Sequence, residues 1–230
     1  MKQDQLFAAM EATWPPAARQ SLGPFCLRDG AGGGKRVSAA SLEGPFAAAD
    51  LDAAEATMAE PLFLIRPGEE ALDSALAARG YRVVDPVLAY AVPVACIAPP
   101  ERMTTFPHWP PMEIARALWA DAGIGAARLA VMERAAGPKC VILGRAQDRA
   151  AGVAFVACHG DIAMLHALEV VPALRRQGSA HNILRAAAAW ALDQGAVTLA
   201  LVVTEANAAA RGLYASLGMK LVGQYHYRKK

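Results

Sequence analysis

The chain has 230 residues, 55% of them apolar and 19% charged, with a net charge of +2. That composition supplies a sizeable buried core and excludes long disordered stretches. The near-neutral balance, with basic residues scattered except for a short Arg228-Lys229-Lys230 end, carries no electrostatic footprint for nucleic acid. The length suits one large domain or two small ones. Cysteines stand at 26, 96, 140 and 158 without a C-x-x-C pair, so neither a zinc site nor a redox pair is expected. No cluster of His, Asp and Glu points to another metal. The opening MKQDQLFAAMEA lacks the apolar region of a secretory leader. The longest apolar run, VLAYAVPVACIA, is 12 residues and is interrupted by Pro93, too short to cross a bilayer of about 30 Å as a helix. A cytoplasmic protein with no membrane partner is the expectation.

Residues 4–13 read as a short helix. Apolar segments follow around PFCLRD and KRVSAASLEG, joined by the glycine-rich DGAGGGK, which lacks the Walker spacing and reads as a hairpin turn. AAADLDAAEATMAE suits a helix and PLFLIR a strand. GEEALDSALAARG suits a glycine-capped helix and YRVVDPVLAYAV a strand. PPERMTTFPHWPP has five prolines in 13 residues and resists regular structure, which puts a boundary near residue 100. In that stretch His108 and Trp109 are packed linker residues or the rim of an entrance.

Residues 111–135 read as one or two helices broken near Gly123 and Gly125. KCVILGRA, AAGVAFVACHG and DIAMLHALEVV read as three consecutive strands. SAHNILRAAAAWALDQG is a helix with Ile183, Leu184, Ala187, Ala188, Ala191 and Leu192 on one face. VTLALVV is a strand, and NAAARGLYASLG is a helix with Asn207 as N-cap. MKLVGQYHY is the last strand. At an offset of 138, aligning Gly218 with Gly80, the closing strand–helix–strand repeats one in the first half. A tandem of two related units is the expectation, residues 1–100 and 101–230.

The stretch EVVPALRRQGSAHNIL, residues 169–184, runs from a strand through Pro172 into a basic turn and a helix. The first amides of a helix have no internal partner, and the helix dipole adds positive character there. Gly178 lets backbone approach a phosphate, while Arg175 and Arg176 charge the rim. A pyrophosphate suits such a site. The G-x-G-x-x-G and Walker patterns are both missing.

Arg175-Arg176-Gln177-Gly178-Ser179-Ala180 resembles the Q/R-x-x-G-x-G/A signature of the GNAT superfamily of acyl-CoA N-acyltransferases. Leu168 to Pro172 before it and Asn207 to Met219 after it are similar to that family's fourth-strand ending and later helix, in the family's order. The resemblance covers about the last 120 residues, and the first 100 only as a degenerate copy without the signature. It implies an α/β fold with a mixed, mostly antiparallel central sheet flanked by helices, and acetyl-CoA as co-substrate. The backbone of Leu168, Glu169 and Val170 then bonds pantetheine, and the amides of Arg176 to Ala180 hold the pyrophosphate. Asn207 lies near the pantetheine arm, and Tyr214 protonates the leaving thiolate. The first unit, without R-x-x-G-x-A, should not bind coenzyme A.

Amine attack also needs a base. His166, with an ordinary pKa near 6.5, is the candidate; Glu169, Glu205 and water are its rivals. Strand alternation puts His166 and Glu169 on opposite faces unless a bulge intervenes. The function implied is transfer of acetyl from acetyl-CoA to a primary amine, small molecule or peptide, by direct attack. The alternative is a non-catalytic acyl-CoA sensor or scaffold. The acceptor, the acyl length and the choice between monomer and homodimer stay open.

Overall fold

The computed structural model describes residues 2–230. In chain order the elements are α1 (Gln3–Thr13), β1 (Ala18–Leu22), β2 (Phe25–Asp29), β3 (Ser41–Leu42), α2 (Ala48–Thr57), β4 (Leu62–Ile65), α3 (Glu70–Ala78) and β5 (Arg82–Pro93). Then come β6 (Thr105–His108), α4 (Glu113–Asp121), α5 (Ala126–Arg134), β7 (Lys139–Ala146), β8 (Arg149–His159) and β9 (Ile162–Val170). The chain ends with α6 (Ser179–Asp193), β10 (Thr198–Thr204), α7 (Ala208–Ser216) and β11 (Lys220–Lys229). No helix is long and apolar enough to cross a membrane among the described residues.

Eight strands form one sheet in the order β4-β11-β5-β10-β9-β8-β7-β6. Every neighbouring pair is antiparallel except β9 and β10. A mixed, mostly antiparallel sheet flanked by helices is the expected fold. The two halves exchange strands within it. β4 pairs with β11, β10 pairs with β5, and β5 lies against β11 between them. The repeated strand–helix–strand units β4-α3-β5 and β10-α7-β11 thus interlock, each lending its last strand to the other's first. A bidentate Arg228–Asp73 pair, at 2.7 and 3.0 Å, ties β11 to α3. With His226 also on that carboxyl, the Asp73 pKa falls to about 2.

Side-chain alternation sorts the core into layers. Cys140, Ile142, Ala154 and Val156 face α6, while Val141, Val153, Phe155 and Ala157 face α4 and α5. α6 comes very close to the sheet at its N-terminal end. A Cβ at Gly144 would stand 2.7 Å from Ile183 Cδ1, and one at Gly152 would stand 3.1 Å from the same atom and 2.6 Å from the Glu169 carbonyl. These two glycines therefore set the height at which the start of α6 sits beside the end of β9. On α6, Leu192 departs from the expected buried face and is 55% exposed; Ala186 is buried instead.

Two expectations are corrected and one strand is added. Part of the proline-rich stretch forms β6, which pairs with β7 at the edge of the sheet; an edge strand tolerates Pro107 because one side needs no ladder bonds. Residues 18–22 form β1, an exposed strand that the sequence reading passes over, in a small sheet β1-β2-β3. DGAGGGK is not a tight turn: it opens a longer crossing that includes a 3-10 turn, Lys35–Val37, before β3.

Because β5 sits between β10 and β11, neither half can complete the sheet alone. A fragment of residues 101–230 is expected to be aggregated or molten by circular dichroism and size exclusion. Co-expression with residues 1–100 is expected to recover a soluble complex with the full-length spectrum.

Candidate active site

The parallel pairing of β9 and β10 runs from Ile162/Thr198 to Leu165/Leu201 and stops. Beyond it the strands part, and a cavity of about 510 Å³ opens between them, lined by Leu165–Glu169 and Leu201–Thr204 with Asn207 and Tyr214. The cause of the parting is local. Opposite β8, Phe155 pairs with His166 but Val153 pairs with Glu169, so β9 carries one extra residue. Ala167 takes up the bulge with φ +50°, and its carbonyl accepts a 2.8 Å bond from the indole of the fully buried Trp119. The extra residue puts His166 and Glu169 on the same face, and both line the cavity.

His166 is 5% exposed and both ring nitrogens are engaged. Arg36 Nη1, which can only donate, lies 3.0 Å from Nδ1. Nε2 lies 2.9 Å from Thr13 Oγ1, whose own proton goes to the Ala9 carbonyl at 2.7 Å. The ring is therefore the Nε2–H tautomer, packed 5.0 Å from Trp14. Burial and the Arg36 charge hold its pKa well below 6.5. With no free lone pair, this imidazole has nothing with which to take an amine proton.

Glu169 is half-buried, and its carboxylate accepts no protein hydrogen bond among the described residues. Burial raises its pKa, opposed by Arg175 and Arg128. Tyr214, on α7, is 6% exposed, and burial together with the Glu169 charge pushes its pKa up to about 12. The phenol thus stays protonated at every ordinary pH. Asn207 caps α7, its Oδ1 accepting from the Ala210 amide at 3.1 Å, and also lines the cavity. Glu205, the other carboxylate candidate, does not line it.

At the end of β9 the chain makes a 3-10 turn, Pro172–Leu174, and then the basic loop. Arg175, Arg176 and Gln177 are exposed, and Arg175 Nε bonds back to the Val170 carbonyl at 3.1 Å. Gly178, the N-cap of α6, has φ +81°, and the space where a Cβ would stand is open. The first helical bond runs from Asn182 to Gly178, which leaves the amides of Ser179, Ala180 and His181 without helical acceptors. Ser179 Oγ is buried and has no partner. Bare amides, an orphaned hydroxyl, an open approach at Gly178 and a cationic rim fit the diphosphate of coenzyme A. The unpaired backbone of β9 fits an extended pantetheine chain.

The model of the acetyltransferase (GNAT) family matches residues 102–219, just over half of the chain. The protein belongs to the GNAT family. Its family chemistry is acyl transfer from acyl-CoA. Solved GNAT structures share the fold over nearly the whole chain. A GCN5-related N-acetyltransferase from Kribbella flavida is 17% identical, with a TM-score of 0.71 over 98% of this chain and 94% of that one. A tandem GNAT protein from the clavulanic acid biosynthesis pathway is 13% identical, with a TM-score of 0.63 over 96% of this chain and 86% of that one. A GCN5-related N-acetyltransferase from Sphaerobacter thermophilus is 14% identical, with a TM-score of 0.59 over 86% and 74%. No curated protein sequence matches this GNAT chain.

The structure also brings in residues that the sequence reading misses: Thr13, Trp14, Lys35, Arg36 and Arg128. Only their distance along the chain hid them, since no local spacing links residues 13 and 36 to 166. His108 and Trp109 do not line the cavity; Trp109 packs 5.9 Å from Phe155, under Lys139.

The buried neutral His166 makes a pH prediction. Below about pH 6.5 the unfolded chain takes a proton there that the fold refuses. The stability is present above that pH and is lost as pH falls towards the depressed folded value. Urea unfolding between pH 7 and 5 should therefore fall more steeply for the wild type than for H166N, by up to about 1.4 kcal/mol per pH unit.

Proposed function

We propose that the protein transfers an acetyl group from acetyl-CoA to a primary amine by direct attack in a ternary complex. One observation carries the reading: a strand pair that parts at a bulge, with Glu169 and Tyr214 in the gap and a bare helix N-terminus at its end. The amides of Arg176 to Ala180 and the Ser179 hydroxyl hold the pyrophosphate. The backbone of Leu168 to Val170 bonds pantetheine, with Asn207 beside the arm. Bound there, acetyl-CoA would supply the thioester carbon.

Glu169 takes the base role in place of His166, which has both nitrogens engaged. Its raised pKa brings it towards the range of a useful base. The amine nitrogen attacks the thioester carbon and gives its proton to Glu169. As the C–S bond breaks, the Tyr214 hydroxyl gives its proton to the thiolate sulfur and is reprotonated in turn. One proton passes in net from nitrogen to sulfur. The rate comes mainly from holding amine and thioester together. Residues 1–100 are the degenerate GNAT-like unit and close the acceptor side; residues 101–230 are the transferase unit.

Acetyl-CoA at 100 times its Kd should stabilise the protein by about 2.7 kcal/mol in a thermal melt, with NAD giving no shift. Y214F should lower kcat with acetyl-CoA binding intact, and E169Q should lower kcat/KM by about 100-fold or more. Because Glu169 must be ionised, kcat/KM should fall as pH drops through a value above 4.5. Tyr214, at about 12, should impose no alkaline limb below pH 10. Binding of acetyl-CoA without turnover of any amine would sink the catalytic assignment and leave a sensor or scaffold.

A further inference from the structure

The acceptor end of the cavity carries a charge with no counter-ion. Its ionisable wall is Lys35, Arg36, Asp85, Arg128 and Glu169, besides the neutral His166 and buried tyrosines. Lys35 pairs with Asp85. Arg128 and Arg175 act on Glu169. Arg36 forms no salt bridge among the described residues. It is partly buried, 5.9 Å over the Trp14 ring, and its Nε is sealed from solvent without a bonding partner. Its one side-chain hydrogen bond goes to a neutral imidazole.

A guanidinium held in a partly desolvated wall calls for an anion. The diphosphate is not that anion. Arg36 meets β9 at His166, four residues before Val170 and the basic loop, about 10 Å upstream at the usual strand rise. It therefore faces the end of the cavity where the acceptor enters, with Glu169 between it and the donor site.

We infer that Arg36 binds a carboxylate on the acceptor, and that the acceptor class is an amino carboxylate: a free amino acid or a close relative bearing both groups. The inference rests on the acyl-transfer reading of this cavity and deepens it. The carboxylate docks on Arg36 while the amine of the same molecule reaches Glu169. A polycation, lacking the carboxylate, meets Arg36 and Arg128 instead. The N-terminal unit thereby acquires a role in recognition, since Trp14 and the 3-10 turn Lys35–Val37 both come from it and set the guanidinium in place.

The test follows thiol release from acetyl-CoA with matched pairs, each free amino acid against the amine left by removing its carboxylate: tyrosine and tyramine, phenylalanine and 2-phenylethylamine, glycine and methylamine. The acid should be favoured at least 10-fold in kcat/KM in one or more pairs. R36Q should bring that ratio towards one by raising KM for the acid, with the KM for acetyl-CoA and the rate on the bare amine little changed. R36K should keep part of the preference. Amines used as well as or better than their acids would overturn the acceptor class and leave the transferase reading standing. Equal losses for acid and amine in R36Q, with R36K no better, would reduce Arg36 to a support for His166. Turnover of other primary amines but of no pair would overturn the class alone, and acetyl-CoA binding without turnover of any amine would overturn the catalytic reading beneath it as well.

Discussion

The active cavity depends on a single backbone carbonyl. Ala167 is an ordinary residue in an unusual conformation, and its C=O would be costly to leave unpaired in the interior. The indole of Trp119 satisfies it from α4. With that bond the extra residue in β9 is stable, the strand turns away from β10, and three consequences follow together. The backbone after Leu165 loses its sheet partner on that side, Glu169 swings to the face of His166, and the chain reaches the start of α6 at the height fixed by Gly144 and Gly152. The proposed donor site and the candidate base are thus products of one local distortion.

The His166 network works in the other direction, joining the N-terminal segment to that strand. Ala9, Thr13, His166 and Arg36 form a chain of hydrogen bonds that fixes the tautomer of the ring. The ring is uncharged, packed between Trp14 and Phe155 and closed to water, which suits a spacer and not a proton carrier. A histidine on the strand before a phosphate loop invites assignment as a base. Its partners, both far away in sequence, make it a spacer that sets where an arginine of the first half stands beside the second.

Much of the second half was legible in the residues. The continuous apolar runs of β7 and β8, the Asn207 cap and the glycine-bearing basic loop before α6 are local signals, and local signals survive into the structure. The features that escaped are those fixed by partners far away in the chain. The bulge at Ala167 has no glycine to mark it and exists because Trp119 reaches it. Pro107 argued against a strand, yet at an edge it costs no ladder bond. Leu192 continued an apolar stripe on α6 past the end of the surface that could cover it. Arg36 looked like a residue beside a turn, and only the folded crossing after β2 carries it to His166.

The interlocked strands bear on how the molecule comes into being. β5, residues 82–93, finds its ladder partners in β10 and β11, more than 100 residues later. As the chain leaves the ribosome, Val87 to Val92, an apolar run with two bare edges, waits until β10 and β11 have been made. Pairings that span so much chain form slowly, and exposed strands of this kind are where nascent proteins stick to one another. The first half thus carries an unpaired apolar strand until the second half arrives, which makes it the stage most open to association between nascent chains.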